Sequence, residues 1–244
     1  MLENVKAEDI LFLDIETVPQ FQDYELLTPE FQSLWCKKAA FICKPDETPA
    51  SVYQKAGIYA EFGKIVCISA GMLFLDKNVG EWNIRLKSFF NHDEKVLLEE
   101  FINLVHAISL KKDVIFCAHN GKEFDFPYMA RRILINRLKL PKPLDISGKK
   151  PWEINHLDTL ELWRFGDYKH YTSLSLLTSI FGIPTPKDDI DGSMVADVYY
   201  KENDLKRIVR YCEKDVLAVA QLFLRYKGET MISEEGVTSA TLFV

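Results

Sequence analysis

A chain of 244 residues with 48% hydrophobic side chains fits one large domain, or one domain with an appendage, and has no run near the roughly 18 apolar residues that a membrane span needs. Its formal net charge of −6 argues against a protein held on nucleic acid by bulk electrostatics, but not against an enzyme that grips a few nucleotides through metal ions. The amino terminus lacks a secretory apolar segment and the five cysteines lack CxxC spacing, so we expect a reduced, cytoplasmic protein without a membrane partner.

The first half of the sequence predicts three strands and two helices around an irregular excursion. In chain order these are a buried strand at 9–15 that ends near Pro19, an excursion at 20–62 with some helix around 29–39, a hairpin of strands at 64–75 and 81–90, and an amphipathic helix at 93–109 capped by Asp93.

The second half predicts two strands and four helices. In chain order these are a buried strand at 114–120, a helix at 126–138, a surface loop at 139–153, a strand at 156–163, and helices at 174–182, 191–201 and 204–226. We expect one domain over residues 1–228 and a loosely attached tail over 229–244. The element order predicts an α/β fold, a mixed five-stranded sheet flanked by helices that is compatible with a ribonuclease H-like sheet. This order alone names no function.

Asp14 and Glu16 interrupt an otherwise apolar strand. Residues two apart in a strand point to the same face, about 6.6 Å apart along the chain. Two such carboxylates can converge on one cation or share a pair of cations. An unpaired carboxylate among apolar neighbours is costly, which favours a cation beside it. The alternative is that the strand ends at Leu13 and that both acids are exposed turn residues.

Asp215 lies on the apolar face of the last predicted helix. The residues three, four and seven positions away on either side are all apolar or aromatic, and they include Tyr211 and Cys212. Burial this costly indicates a charged partner, either a cation or a buried Arg or Lys. Tyr211, one turn before Asp215, could hold an attacking water by a hydrogen bond. The alternative for Tyr211 is a core tyrosine with a satisfied hydroxyl.

Asp125 follows the predicted strand at 114–120 and precedes a helix with Pro127 in its first turn. Such an acid is commonly a helix cap, which is the alternative role. It also lies just past the end of a buried strand, where sites of open α/β sheets occur. With Asp14, Glu16 and Asp215 it completes a set of four acids whose charge two divalent cations would neutralise. Carboxylate oxygens without a competing His/Cys cluster favour Mg²⁺ or Mn²⁺.

Three segments resemble, in order and spacing, the exonuclease motifs of the DEDD superfamily, namely LDIET at 13–17, HNGKEFDFPYMARR at 119–132 and YCEKD at 211–215. The third segment has the Tyr-x-x-x-Asp form of the tyrosine subtype. The pattern is similar to stand-alone exonucleases that resemble the proofreading domain of B-family DNA polymerases, and the stretches at 62–69 and 187–200 extend this similarity over roughly residues 9–227. The resemblance implies a ribonuclease H-like fold, metal ligation by the four acids, and Tyr211 as the residue that orients the water.

The residues expected to contact substrate are Thr17, Asn120, Phe126 and Arg131. The resemblance implies that the backbone of Thr17 and Asn120 lie near the terminal nucleotide, whereas Arg131 suits a phosphate contact and a solvated helix face equally. The aromatic and cationic residues of the segment 163–171 suit base stacking, which contributes ~1–3 kcal/mol per base in single-strand grooves. Packing beneath the loop is the alternative for each ring.

These inferences predict a metal-dependent 3′→5′ exonuclease that hydrolyses single-stranded nucleic acid, with DNA favoured, and releases nucleoside 5′-monophosphates. A chain of this length leaves no room for a polymerase domain, so we expect any part in proofreading or DNA repair to be played in trans, beside a polymerase or repair partner. The alternatives are a 3′→5′ exoribonuclease with the same site and a non-catalytic nucleic-acid-binding or polymerase-accessory module.

Overall fold

The computed structural model describes residues 2–184 and 189–243, so Lys187 and Asp188 of the stretch at 187–200 lie outside it. The strands are β1 Ile10–Pro19, β2 Gly63–Asp76, β3 Glu81–Phe90, β4 Ile115–Ala118, β5 Leu157–Asp158 and β6 Val237–Ser239. The helices are α1 Pro29–Ala39, α2 Glu94–Ser109, α3 Asp125–Ile135, α4 Thr159–Arg164, α5 Leu174–Phe181, α6 Val195–Asp197 and α7 Leu205–Lys227. Within the described residues, no helix is both long enough and apolar enough to cross a membrane.

One mixed sheet carries the strands in the order β5-β4-β1-β2-β3-β6. β2 pairs antiparallel with β1 and β3, whereas β4 pairs parallel with β1 and β5. This confirms the α/β fold with a mixed sheet flanked by helices. The sheet has six strands rather than five, because β6 pairs in parallel with Ile84–Leu86 of β3. The sixth strand comes from the segment 229–244, and its three residues are too few to show an alternating pattern in the sequence.

The strand predicted at 156–163 is wrong in all but two residues. Only Leu157 and Asp158 pair with β4, and α4 begins at Thr159. The side chain of Asp158 accepts hydrogen bonds from the amides of Leu160 and Glu161 and so caps this helix. The helix predicted at 191–201 is also shorter, since α6 spans three residues and passes into a π-helical turn, Val198–Glu202.

β1 lies at the centre of the sheet and is buried on both faces. Leu11 packs with α2 and α3 in one apolar cluster, whereas Phe12 packs against Phe223 of α7 with ring centres 5.4 Å apart. Because successive side chains of a strand alternate, Asp14 and Glu16 share the face of Phe12. Both acids therefore point toward α7.

The excursion at 20–62 folds over its own apolar cluster around Trp35. A buried ion pair between Arg132 of α3 and Glu94 of α2 ties the excursion to the domain. The Arg132 guanidinium also donates to the backbone oxygen of Ala60 at 2.8 Å, and the Glu94 carboxylate accepts from the amide of Ile65 at 2.7 Å. The helix expected around 29–39 is confirmed as α1.

Candidate active site

Asp14 and Glu16 lie inside β1, which continues past both of them to Pro19. This continuation is inconsistent with the exposed-turn alternative. Glu16 stands opposite Cys67 of β2, and the β1–β2 register shifts between Glu16 and Thr17. Such a bulge re-aims side chains and is common beside active sites. Glu16 is 7% exposed and Asp14 is partly buried, so the strand holds two carboxylates in a nearly dry environment.

Tyr211, Cys212 and Asp215 present one buried face of α7 to these acids. The Cys212 thiol donates to Asp14, with Sγ 3.3 Å from Oδ2 and 3.4 Å from the backbone oxygen. Asp215 lies close enough to Tyr211 to raise the pKa of its hydroxyl. Ligand atoms of Asp14, Glu16 and Cys212 all lie within 4.8 Å of one another. Packing of α7 on β1 therefore assembles acids from the two ends of the chain.

Asp125 is the first residue of α3 and is 3% exposed. The backbone amides of Asp125 itself and of Ile15 act to lower the pKa of its carboxyl group, which therefore lies against β1. The residue in the capping position is Phe124, which makes no side-chain capping bond. Asp125 thus contacts the strand that carries Asp14 and Glu16.

The loop that leads to Asp125 is shaped by backbone constraints. A Cβ at Gly121 would lie 2.5 Å from the Cβ of Ala118, so only glycine fits there. Asn120 adopts the left-handed region with φ 62°. Asp158 accepts from the amides of Asn120 and Lys122 at 2.9 and 3.1 Å, which fixes the loop against α4. The loop can therefore hold Asp125 at one position.

Burial and like charge raise the pKa values of Asp14, Glu16 and Asp125. The pKa of Asp14 and that of Glu16 rise well above their usual range, first through burial and then through the charge of Asp215. Burial, with smaller contributions from Asp158 and Asp215, raises the pKa of Asp125 to about 7, although the backbone amides of Asp125 and Ile15 act to lower it. Burial and then the charge of Asp215 raise the pKa of Tyr211, so its hydroxyl stays protonated.

The donor set fits hard divalent cations. Among residues 2–184 and 189–243, none of the ion pairs involves Asp14, Glu16 or Asp125. Buried like charges without a basic partner are unfavourable unless cations neutralise them, and carboxylate oxygens are the ligands that Mg²⁺ and Mn²⁺ prefer. Cys212 adds a thiol to the edge of this set, and the sequence had indicated it only as an apolar neighbour of Asp215.

A cleft of about 200 Å³ opens onto Asp14 and Asp215. Its lining consists of Asp14, His119, Tyr171, Ser173, Leu174, Ser175, Tyr211 and Asp215. His119 is held between the hydroxyl of Thr159 at 2.9 Å and the backbone oxygen of Thr172 at 3.0 Å. Burial lowers its pKa, which favours a neutral ring at neutral pH. Tyr171 is 63% exposed at the cleft, with its ring centre 6.3 Å from that of His119.

The residues predicted to contact substrate differ in their exposure and in their position relative to the acids. Thr17 and Asn120 are partly buried next to the acids, at the bulge and in the loop before Asp125. Phe126 is completely buried beside Phe116 and has no surface to offer a nucleotide. Arg131 is exposed on α3.

The segment 163–171 divides between packing and exposure. The Trp163 ring packs against Phe181 and Tyr226 beneath the loop, which matches the packing alternative. Tyr168 is exposed and lies beside the guanidinium of Arg164. Among the described residues of this segment, only Tyr171 lines the cleft.

Comparisons with known proteins agree with the motif resemblance. Residues 58–240 match a family described as a predicted 3′-5′ exonuclease related to the exonuclease domain of PolB. The family B DNA polymerase from the hyperthermophilic archaeon Pyrobaculum calidifontis is similar in structure, with a TM-score of 0.50 and 14% sequence identity. That similarity covers 88% of this chain and 24% of the polymerase chain, so the protein spans about a quarter of the polymerase. At this identity the likeness shows the fold.

Proposed function

Since the chain belongs to the family of predicted 3′-5′ exonucleases related to the exonuclease domain of PolB, we propose that it removes nucleotides from the 3′ end of single-stranded nucleic acid in a metal-dependent reaction. DNA is the favoured substrate and nucleoside 5′-monophosphates are the products. The observation that carries the proposal is the convergence of acids from β1, α3 and α7, in which the charge of Asp215 helps to raise the pKa values of Asp14, Glu16 and Asp125.

We assign cation binding to Asp14, Glu16, Asp125 and Asp215. Two Mg²⁺ or Mn²⁺ ions bound there would supply an activated water and compensate the charge that develops on the phosphate. Three buried carboxylates and the partly buried Asp14 would fix the position of such ions, because β1 and α7 are both anchored in the core. Without cations the four carboxylates would repel one another strongly. We therefore expect nuclease activity to depend on divalent cations.

Tyr211 is the residue that we expect to orient the attacking water. Tyr211 lines the cleft together with Asp215, and its hydroxyl stays protonated, so it can donate a hydrogen bond to the water. The water oxygen forms a new bond to phosphorus, and the bond from phosphorus to the 3′ oxygen of the preceding nucleotide breaks. That oxygen leaves with the electron pair and takes up a proton.

The shape of the cleft supports a strand end as the substrate. Its volume of about 200 Å³ is small, and its mouth presents the exposed ring of Tyr171 beside the acids. An aromatic ring at the mouth can stack on an unpaired base. A base pair at the same place would have to open before its 3′ nucleotide reached the acids, so we expect single strands to be degraded faster than duplexes.

The test uses 5′-labelled single-stranded and double-stranded DNA, with RNA of matched sequence, in Mg²⁺, Mn²⁺ or EDTA. We expect single-stranded DNA to shorten stepwise from its 3′ end, with release of nucleoside 5′-monophosphates, and no reaction in EDTA or with Asp215→Asn. Faster degradation of RNA would identify an exoribonuclease. Binding without turnover in either metal would identify an accessory module and contradict the proposal.

Action in trans beside a separate polymerase or repair enzyme is the setting that we propose for this activity. A polymerase that lacks its own exonuclease extends a mismatched primer end poorly. Addition of this protein is expected to restore extension from a mismatched end and to leave extension from a matched end unchanged. Equal effects on both primers would contradict an editing role.

A further inference from the structure

Glu213 of α7 is the acceptor for three hydroxyl groups. Its Oε1 atom lies 3.0 Å from the hydroxyl of Ser88 and 2.9 Å from that of Ser239, and it also accepts from Thr241. Ser88 belongs to β3, whereas Ser239 and Thr241 belong to the C-terminal segment, which we define as residues 229–241. Three donors from two separate parts of the chain thus converge on one carboxylate oxygen.

The position of Glu213 connects these bonds to the candidate active site. It lies on α7 between Tyr211 and Asp215, two residues from each, so all three residues belong to about one helical turn. The hydrogen bonds of Glu213 therefore hold the turn of α7 that presents the tyrosine and the acid to the cleft.

The hydrogen bonds continue into the sheet on the same face. The hydroxyl of Ser88 lies 2.7 Å from that of Ser69, and both serines are buried. Ser69 stands opposite Asp14 in the β1–β2 register. A continuous path thus runs from the C-terminal segment through Glu213, Ser88 and Ser69 to the strand position next to Asp14.

A second contact fixes the C-terminal segment farther along α7. The Gln221 side chain donates to the backbone oxygen of Ile232 and accepts from its amide, both at 2.9 Å. Gln221 and Glu213 are eight residues apart, or about 12 Å along the helix. The segment is therefore held on α7 at two separated points, and between them it adds β6 to the sheet.

We propose that Glu213 and the C-terminal segment position α7 so that Tyr211 and Asp215 meet Asp14 in the geometry that the reaction requires. Glu213 is a positioning residue, and its effect on turnover rests on the exonuclease function proposed above. Displacement of a reacting group by about 1 Å can lower a rate by roughly 10²-fold, so a contact that sets the place of this turn can control kcat without touching substrate.

The experiment compares variants on both sides of the contact. Glu213→Met removes the acceptor at similar side-chain length, whereas Glu213→Gln keeps an oxygen in its place. Ser239→Ala combined with Thr241→Val removes two donors and leaves α7 unchanged. We expect Glu213→Met and the double variant each to lower kcat about tenfold or more with KM unchanged, and Glu213→Gln to retain most activity. Combining Glu213→Met with the double variant is expected to add little, since both remove the same contact.

Glu234→Met, at an exposed acid of the same segment, is the matched control and is expected to behave as wild type. Hydrogen–deuterium exchange of residues 205–217 gives a readout that is independent of turnover, and we expect faster exchange in both disruptive variants. Unchanged kcat in Glu213→Met, or a fall that merely follows the folded fraction, would overturn the positioning role. An inactive wild-type protein with the expected exchange differences would instead refute the proposed function and leave the contact intact.

Discussion

The thiol of Cys212 lies 3.3 Å from a carboxylate oxygen of Asp14, although 198 residues separate them in the chain. This hydrogen bond favours the ionised form of Asp14, but burial and three neighbouring acids oppose it more strongly. The folded protein therefore holds the acid in an environment that its charge disfavours. Such an arrangement is unfavourable for stability and useful only where cations compensate it.

Replacement of Asp14 should separate activity from stability. We expect Asp14→Ala to reduce exonuclease turnover to background, because one of the four proposed cation ligands is lost. In EDTA the variant should unfold at the same urea concentration as wild type or at a higher one, since one of several buried like charges is removed. Asp46→Ala, at an exposed loop position, is the control and should change neither quantity. A clearly lower urea midpoint for Asp14→Ala would assign the residue a structural role.

The raised pKa of Asp125 predicts a pH dependence of stability in the metal-free protein. The pKa of Asp125 rises from its ordinary 3.8 to about 7, so the folded state binds the proton more tightly than the unfolded chain does. The resulting stabilisation is fully present below about pH 4 and is lost as the pH rises through about 7. Asp125→Asn keeps the neutral form at every pH, so in EDTA its stability relative to wild type should rise by about 2 kcal/mol between pH 5 and pH 8.

Urea denaturation of wild type and Asp125→Asn at several pH values measures this difference directly. Addition of Mn²⁺ at pH 8 should stabilise wild type more than the variant, because the cations neutralise a carboxylate charge that the variant lacks. A difference between the two proteins that stays constant with pH would contradict the assignment of Asp125 to the repulsive cluster.

Tyr211→Phe tests the orientation of water. The hydroxyl is lost while the ring remains packed on α7, so we expect kcat to fall roughly ten- to hundredfold with little change in Mn²⁺ affinity. Single-turnover rates and calorimetric titration of Mn²⁺ measure the two effects separately. Turnover equal to that of wild type would remove Tyr211 from the mechanism and leave it a core tyrosine.

The main features of the fold could be predicted because each had a local signal. β1, the β2–β3 hairpin and α2 have clear periods, and the apolar helical neighbours of Asp215 by themselves indicate that it is buried. The sequence predicts too long a strand at 156–163, because the alternation of HLDTLELW suits a short helix equally well. The capping hydrogen bonds of Asp158 favour the helix. A local sequence pattern does not predict the element correctly where a single side chain caps the end of a helix.

The features that the sequence does not predict arise from contacts between residues that are distant in the chain. Nothing near Glu213 in the sequence indicates that Ser88, Ser239 and Thr241 converge on it, because these partners lie 125, 26 and 28 residues away. β6 likewise depends on pairing with a distant strand. The sequence indicates Cys212 only as an apolar neighbour of Asp215, since a thiol among apolar residues behaves as a small hydrophobe until a carboxylate lies beside it.

Tyr171 and Tyr168 form a matched pair for substrate binding. Both are exposed, at 63% and 71%, and both belong to the same loop, but only Tyr171 lines the cleft with the acids. Loss of one stacking ring costs about 1–3 kcal/mol per base, so Tyr171→Ala should raise KM for single-stranded DNA several-fold or more with a smaller effect on kcat. Tyr168→Ala should leave both constants near wild type. Equal effects of the two substitutions would place the strand outside the cleft.

Arg131 and Arg132 are adjacent in α3 but should respond to substitution in opposite ways. Arg132 Nη2 lies 2.5 Å from Glu94 Oε2 in a buried pair, so Arg132→Met leaves an uncompensated buried carboxylate and should lower the free energy of unfolding by about 3–5 kcal/mol. The turnover per folded molecule should stay unchanged, because this pair holds the excursion rather than the acids. Arg131→Met should leave the stability near wild type, and a raised KM in that variant would support a phosphate contact.

Glu94→Gln in the Arg132→Met background distinguishes a structural pair from a substrate contact. Removing the second charge should recover part of the lost stability, since the penalty arises from the carboxylate left without its partner. We expect the double variant to be destabilised less than the sum of the two single variants, and we expect this difference in the urea midpoints and not in turnover. A raised KM at unchanged stability in Arg132→Met would mean that the guanidinium leaves Glu94 to reach substrate. That result would contradict a rigid attachment of the excursion through Ala60.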